Sequence, residues 1–180
     1  ALKVLKNSRN RGKGYSVKKG VLAAQGELVL ISDADFSTPI EEFEKFHACL
    51  KEDWDIAIGS RALMDSEIEI RQAWYREGMG RIFNAFVQMM VLRGYADTQC
   101  GFKCFTRKKV VPVFSQLTLD GFCFDVEFLF IAQKRGLKIK EVPVKWRDAL
   151  RSRVNVVSDS IRMFFDLMRI RFNNKKGLYQ

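Results

Sequence analysis

Residues 27–33 read ELVLISD, with four apolar residues in succession between two acids. A half-buried strand alternates apolar and polar positions. An unbroken apolar run needs cover on both faces, as in a sheet held between helices. DIAIGS at 55–60 repeats the pattern. A helix is predicted over Tyr15–Gln25, closed by Gly26 in the left-handed position just past its end. Pro39 opens another, whose Phe43, Phe46, His47 and Leu50 share one face. Helix, strand, helix, strand in this rhythm predicts an α/β chain with a mostly parallel central sheet flanked by helices.

The second half has a different texture. Met79, Ile82, Phe83, Phe86, Val87 and Met90 fall at helical spacing within Trp74–Arg93. Phe102–Phe105 suits a short strand, and Phe124–Arg135 a helix ended by Gly136. Lys138–Trp146 alternates, with Ile139, Val142, Val144 and Trp146 as the inward set. Val156–Phe172 predicts a last amphipathic helix, its Ile161, Phe164, Phe165 and Met168 flanked by Arg162, Arg169 and Arg171. No repeat or linker divides the chain, so residues 1–180 are expected to form one domain. A nucleotide-binding sheet normally opens with a strand and a ligand-binding loop. This sequence opens near a helix end, with Ala1–Leu5 as a residual edge strand, and is expected to be an amino-terminally truncated piece.

The 31 Lys and Arg against 21 Asp and Glu leave a formal charge of +10, which calls for an anionic partner: nucleic acid, anionic lipid or phosphorylated substrate. Cys49, Cys100, Cys104 and Cys123 form no CxxC pair, and His47 is the single histidine, so no zinc set arises. They are expected to be reduced, buried thiols in a reducing compartment, and His47 to be structural. Apolar stretches such as Phe86–Leu92 fall short of the roughly 20 residues needed to cross a bilayer. No signal-peptide pattern opens the sequence. The chain is therefore expected to lie on a membrane at most.

Asp33-Ala34-Asp35 ends the strand ELVLISD. Carboxylates two apart in extended chain project together, and ligands of open α/β sheets bind beyond the carboxyl ends of the strands. Two hard oxygen donors there suit Mg²⁺ or Mn²⁺ clamping a diphosphate. A helix-capping acidic turn before Ser37-Thr38-Pro39 accounts for the same residues. Gly12, Lys13 and Gly14 lead into a helix and combine backbone access with a point charge, in a spacing that is not a P-loop. Arg61 follows the second strand and shares its edge with Asp33 and Asp35. Arg71 and Arg76 lie within fifteen residues of it, and arginine forks suit phosphate. Asp97 and Gln99 stand in a loop, where an acid can position or deprotonate a nucleophile or simply form a turn.

The blocks NRGKGYSVKKG, SDADFSTP, IGSR, DTQCGFKCFTR, GFCFDVEFLFIAQKRG and EVPVKW follow one another as in dolichyl-phosphate β-glucosyltransferases. Those are family 2 glycosyltransferases of GT-A (Rossmann-like) fold, and the chain resembles them through Arg171. The resemblance implies that Asp33 and Asp35 hold the donor diphosphate and its metal, with Ser37 where mannose synthases place a third, glutamine ligand. It places Gly12 and Lys13 on the nucleotide side. Arg61 and Arg76 are implied to hold phosphates, Asp97 and Gln99 to sit by acceptor and sugar, and Asp125 with Glu127 to shape the sugar pocket.

The implied reaction is transfer of a hexose from UDP-glucose to dolichyl or undecaprenyl phosphate with inversion. It would take place at the cytoplasmic face of a bacterial inner membrane or of the endoplasmic reticulum. Use of GDP-mannose or of a non-lipid acceptor is an alternative. A nucleic-acid-binding domain is a rival that the scattered basic residues argue against.

Overall fold

A computed structural model of the chain describes residues 2–70, 72–148 and 156–180, the first three of the last segment in backbone only. Arg71 therefore lies outside the described residues. The elements run α1 (Lys13–Ala23), β1 (Leu28–Ile31), a 3-10 turn (Ile40–Glu42), α2 (Phe43–Lys51), β2 (Ile56–Ser60) and β3 (Glu67–Ile70). Next come α3 (Trp74–Met90), β4 (Lys103–Thr106), α4 (Arg107–Gln116), α5 (Phe124–Lys134), β5 (Ile139–Pro143), β6 (Lys145–Arg147) and α6 (Val156–Lys175).

Four strands form the main sheet in the order β1-β4-β2-β5. β1, β2 and β5 share one direction, as the apolar runs predict. β4 lies between β1 and β2 and runs antiparallel to both, so the sheet is mixed. The reversal brings the start of β4 to the edge where β1 and β2 end: Lys103 pairs with Ile31 on one side and Ile58 on the other. A second, two-stranded sheet pairs β3 with β6 in parallel.

Successive side chains serve opposite faces. Val29, Ile56, Ile58 and Phe105 join one core with α1, α3, α4, α5 and α6, while Leu28, Leu30, Ala57 and Cys104 join Phe46 and Cys49 of α2 on the other. The two-sided apolar runs are thus covered by helices on both faces. Phe105, Phe114 and Phe128 pack with centroids 4.7–5.6 Å apart at the centre of the larger core. All four cysteines are buried free thiols, and His47 stacks on Phe43 at 5.7 Å.

Several expectations need correction. Leu2–Lys6 form no strand. α1 stops at Ala23, where Ala24 turns extended with ψ 148, so Gly26 does not cap it. Gly136 does take the left-handed conformation after α5, with φ 71. The alternating run 138–146 is two strands in different sheets, broken at Val144, with all four predicted inward residues buried.

Candidate functional site

Four contributions converge beyond one edge of the main sheet. β1 delivers Asp33 and Asp35, β2 delivers Arg61, and the reversal of β4 brings in Gln99 and Gly101. The fourth contribution is a meeting of helix starts. An added Cβ on Gly14 would lie 2.6 Å from the Cβ of Phe124 and 2.7 Å from the Leu119 carbonyl oxygen, so only glycine lets α1 approach α5 this closely. The amino-terminal ends of both helices, carrying Lys13 and Asp125, therefore face one cleft. It measures about 740 Å³ and is walled on its far side by Met79 and Phe83 of α3 and Met163 of α6.

The turn after β1 is built around its acids. Phe36 adopts φ 52, a left-handed conformation costly for an aromatic residue, and its N–H donates to the Asp33 carbonyl at 3.1 Å. Asp35 Oδ1 accepts from the Ser37 backbone N–H at 3.1 Å and the Ser37 hydroxyl at 2.9 Å. Ser37 is thus the group that orients Asp35. Asp33 Oδ1 pairs with Lys13 Nζ at 2.6 Å. Its other oxygen lies against Gly101, where a Cβ would stand 1.9 Å away. Burial works against the Lys13 ammonium, but the carboxylates of Asp125 and Asp33 outweigh it and hold its pKa above the usual lysine value.

Both acids line the cleft; Asp35 keeps its Oδ2 without a hydrogen-bond or ion-pair partner among the described residues, while Asp33 has Oδ1 against Lys13 and Oδ2 against Gly101. No cluster of three or more His, Cys, Asp or Glu able to hold a metal occurs among those residues. Two neighbouring carboxylates, one with an unengaged oxygen and one held by a lysine, fit a divalent cation that takes its other ligands from phosphate and water, as Mg²⁺ and Mn²⁺ do at nucleotide sites.

Arg61 is held far more tightly. Its Nε and Nη2 clasp Asp97 at 2.6 and 3.0 Å, and its backbone N–H donates to the same carboxylate at 3.1 Å. The N–H groups of Gln99 and Cys100 add bonds of 3.0 and 3.2 Å. Burial alone would raise the Asp97 pKa; Arg61 and the backbone donors outweigh it and hold the carboxyl below its ordinary value. Behind it, Glu141 accepts the N–H groups of Ala96 and Asp97, each at 2.9 Å. The guanidinium carbon sits 5.4 Å from the Trp146 ring. Arg61, Arg76, Gln72 and Trp146 line both the cleft and an adjoining cavity of about 540 Å³, which Thr98 and Asn84 also line. The Arg76 side chain has no ion pair among the described residues.

Lys13, Asp33, Asp35, Arg61, Arg76, Gln99 and Asp125 share the cleft, whereas Asp97 opens on the adjoining cavity. Asp125 is buried in an ion pair with Lys103 at 2.7 Å. Two expected residues are not at the cleft. Gly12, at φ 101, packs on the Asp120 carbonyl and forms the close turn ahead of α1. Glu127 is wholly buried behind α5, accepting from Thr118, the Leu119 N–H and the Tyr179 hydroxyl at 2.6–3.0 Å. The sequence reading missed Glu141 as a partner of the Asp97 loop and Lys103 as that of Asp125. Both are charges inside apolar strands, and that was the available signal.

The family pattern described as glycosyl transferase family 2 matches residues 1–112. The chain belongs to that family. It is 38% identical to a dolichyl-phosphate beta-glucosyltransferase of Dictyostelium discoideum over 99% of this chain and 56% of the relative. The protein of that name from Saccharomyces cerevisiae is 33% identical over 99% of this chain and 57% of its own length. The chain thus spans about half the length of the curated relatives it matches. Among solved structures it resembles glucosyl-3-phosphoglycerate synthase from Mycobacterium tuberculosis in complex with Mn²⁺, UDP-glucose and glycerol 3-phosphate. That match has a TM-score of 0.64 at 17% identity, covering 92% of this chain and 56% of the other, and it shows a GT-A-like fold.

Proposed function

We propose that this protein transfers glucose from UDP-glucose to a polyprenyl phosphate, inverting the anomeric centre. The observation that carries the reading is Arg61, fixed by Asp97 at the junction of a cleft that bears paired acids and a second polar cavity. Such a junction suits two phosphorylated substrates meeting at one sugar carbon. The names of the relatives support glucose, a polyprenyl acceptor and a lipid setting. The Mn²⁺ and UDP-glucose in the structural neighbour support a divalent cation and that donor.

Asp33 and Asp35 would hold the cation. Bound there, it supplies electrophilic neutralisation of the departing diphosphate. Lys13 lies beside the same acids and suits the diphosphate oxygens. Arg61 and Arg76 orient the acceptor phosphate, and Asp125 with Gln99 borders the sugar. A phosphate oxygen of the acceptor forms its bond to the anomeric carbon as the bond to the diphosphate oxygen breaks, the electron pair leaving with the diphosphate. The acceptor is largely ionised near neutral pH, so no strong base is needed. Asp97 accordingly positions Arg61 and does not take a proton. Placement and charge stabilisation provide the rate.

A lipid acceptor calls for a membrane surface. α3 and α6 meet through Phe86 and Phe164, 5.4 Å apart. They leave Trp74, Ile82 and Met89, and Ile161, Phe165, Met168 and Phe172, exposed. The same helices wall the cleft, and Arg81, Arg162, Arg169 and Arg171 are exposed beside the apolar residues. That combination fits in-plane contact with anionic lipid at the cytoplasmic face. No helix among the described residues is long and apolar enough to cross a membrane.

The test is to supply the full-length protein with labelled UDP-glucose or GDP-mannose, Mn²⁺ and polyprenyl phosphate. Label entering the lipid phase from UDP-glucose is expected. Label passing only to a soluble saccharide, or only from GDP-mannose, overturns the acceptor or the donor.

A further inference from the structure

Asp33 is gripped from two sides that differ in freedom. On one side its carboxylate lies on the backbone of Gly101, where not even a methyl group fits. That side is fixed by β4, whose start is hydrogen-bonded into the sheet between β1 and β2. On the other side, Lys13 Nζ stands 2.6 Å from Oδ1 at the end of a flexible four-carbon stem. The backbone of Lys13 opens α1 and is anchored, since Gly12 packs on Asp120 and the Tyr15 N–H donates to the Asp120 carbonyl at 3.2 Å. Gly101 therefore stops Asp33 from turning away toward β4, while the ammonium, on its flexible stem, can swing without moving the helix. An incoming cation and the lysine compete for one oxygen.

We propose that Lys13 is an exchangeable stand-in for the divalent cation on Asp33, transferring to the donor's diphosphate when cation and nucleotide arrive together. The inference rests on the reading of Asp33 and Asp35 as the cation site. Cation alone must displace the ammonium from Asp33 and leave it beside a like charge, with only the Asp125 carboxylate near, and that one is already paired with Lys103. Cation with diphosphate offers the ammonium a new anionic partner. The site is thus weak for cation by itself and strong for cation with nucleotide, and Lys13 produces that coupling.

The test measures Mn²⁺ binding to the full-length protein from the free-ion paramagnetic resonance signal, with and without UDP. Wild type, Lys13→Met and Lys13→Gln are compared, with circular dichroism to show that each is folded. A neighbouring like charge shifts an ionic equilibrium by a unit or more. Lys13→Met should therefore bind Mn²⁺ alone about tenfold more tightly, with the gain from UDP reduced by at least that factor. Lys13→Gln should behave alike, which keeps the test open if the first variant does not fold. Unchanged or weaker binding of Mn²⁺ alone in the folded variants overturns the exchange while leaving the cation site intact. If wild type binds no Mn²⁺ even with UDP, the cation site fails and the exchange with it.

Discussion

Two corners of the same cleft are built on opposite plans. At the Arg61 corner, one buried carboxylate accepts five hydrogen bonds, a second carboxylate fixes the loop behind it, and an aromatic ring lies beside the cation. At the Asp33 and Asp35 corner the acids are part-exposed or exposed, Asp35 has an oxygen unengaged among the described residues, and the ammonium that holds Asp33 ends a flexible stem. One corner is finished before any ligand arrives; on the proposed function the other would be completed by its ligands. That division suits a reaction in which the acceptor phosphate needs a fixed partner and the donor brings its own cation.

The largest effect is expected at the open corner. Asp35→Ala should lower transfer by at least about a thousandfold, the several kcal/mol a metal contributes to charge stabilisation, while thermal unfolding hardly changes. A steady-state assay with a melting curve checks both. A comparable fall in Tm would show that this corner is structural too.

Asp97→Asn should do the reverse in kind, leaving a part-buried guanidinium without its charge partner. A loss of about 3 kcal/mol is expected, or roughly 6–12 °C in Tm for a chain of this size. The pH dependence has a definite sign. Because the folded carboxyl titrates below its ordinary 3.8, its contribution is present above that value and lost as pH falls through the lower folded value. The stability gap between wild type and Asp97→Asn should therefore shrink below about pH 4, as urea melts at stepped pH can show. A gap independent of pH would remove the ion pair as its cause.

The smallest effect belongs to the core behind α5. Tyr179→Phe deletes the 2.6 Å donor to Glu127 and should cost about 1–2 kcal/mol in chemical denaturation. The KM for UDP-glucose should stay unchanged. A raised KM would return Glu127 to the sugar pocket.

The two corners were unequally visible in the sequence, for a physical reason. Asp33 and Asp35 follow an apolar run whose burial on both faces is a local property, so their place at a sheet edge could be inferred from seven residues. The Arg61 corner depends on β4 running backwards between β1 and β2, a non-local pairing that leaves no mark on KCFT. With β4 reversed, the Asp97 loop reaches Arg61 and Glu141 across separations of 36 and 44 residues. α4 was missed because its basic first turn and Pro112 disguise it, although Val110, Val113 and Phe114 carry the helical spacing and are fully buried. Glu127 looked functional because it shares FDVE with Asp125. Two residues along a helix turn a side chain by about 200°, so one acid reaches the cleft and the other the core.

The most direct test of the open corner is a calorimetric titration of UDP into the full-length protein, with Mn²⁺ and then with chelator, in wild type and Asp35→Ala. UDP should bind with Mn²⁺ and lose at least about tenfold in affinity both with chelator and in the variant, since on the proposed function Asp33 and Asp35 would hold the cation that neutralises the diphosphate. Equal affinity with chelator, or an undiminished Mn²⁺ effect in Asp35→Ala, would contradict the account.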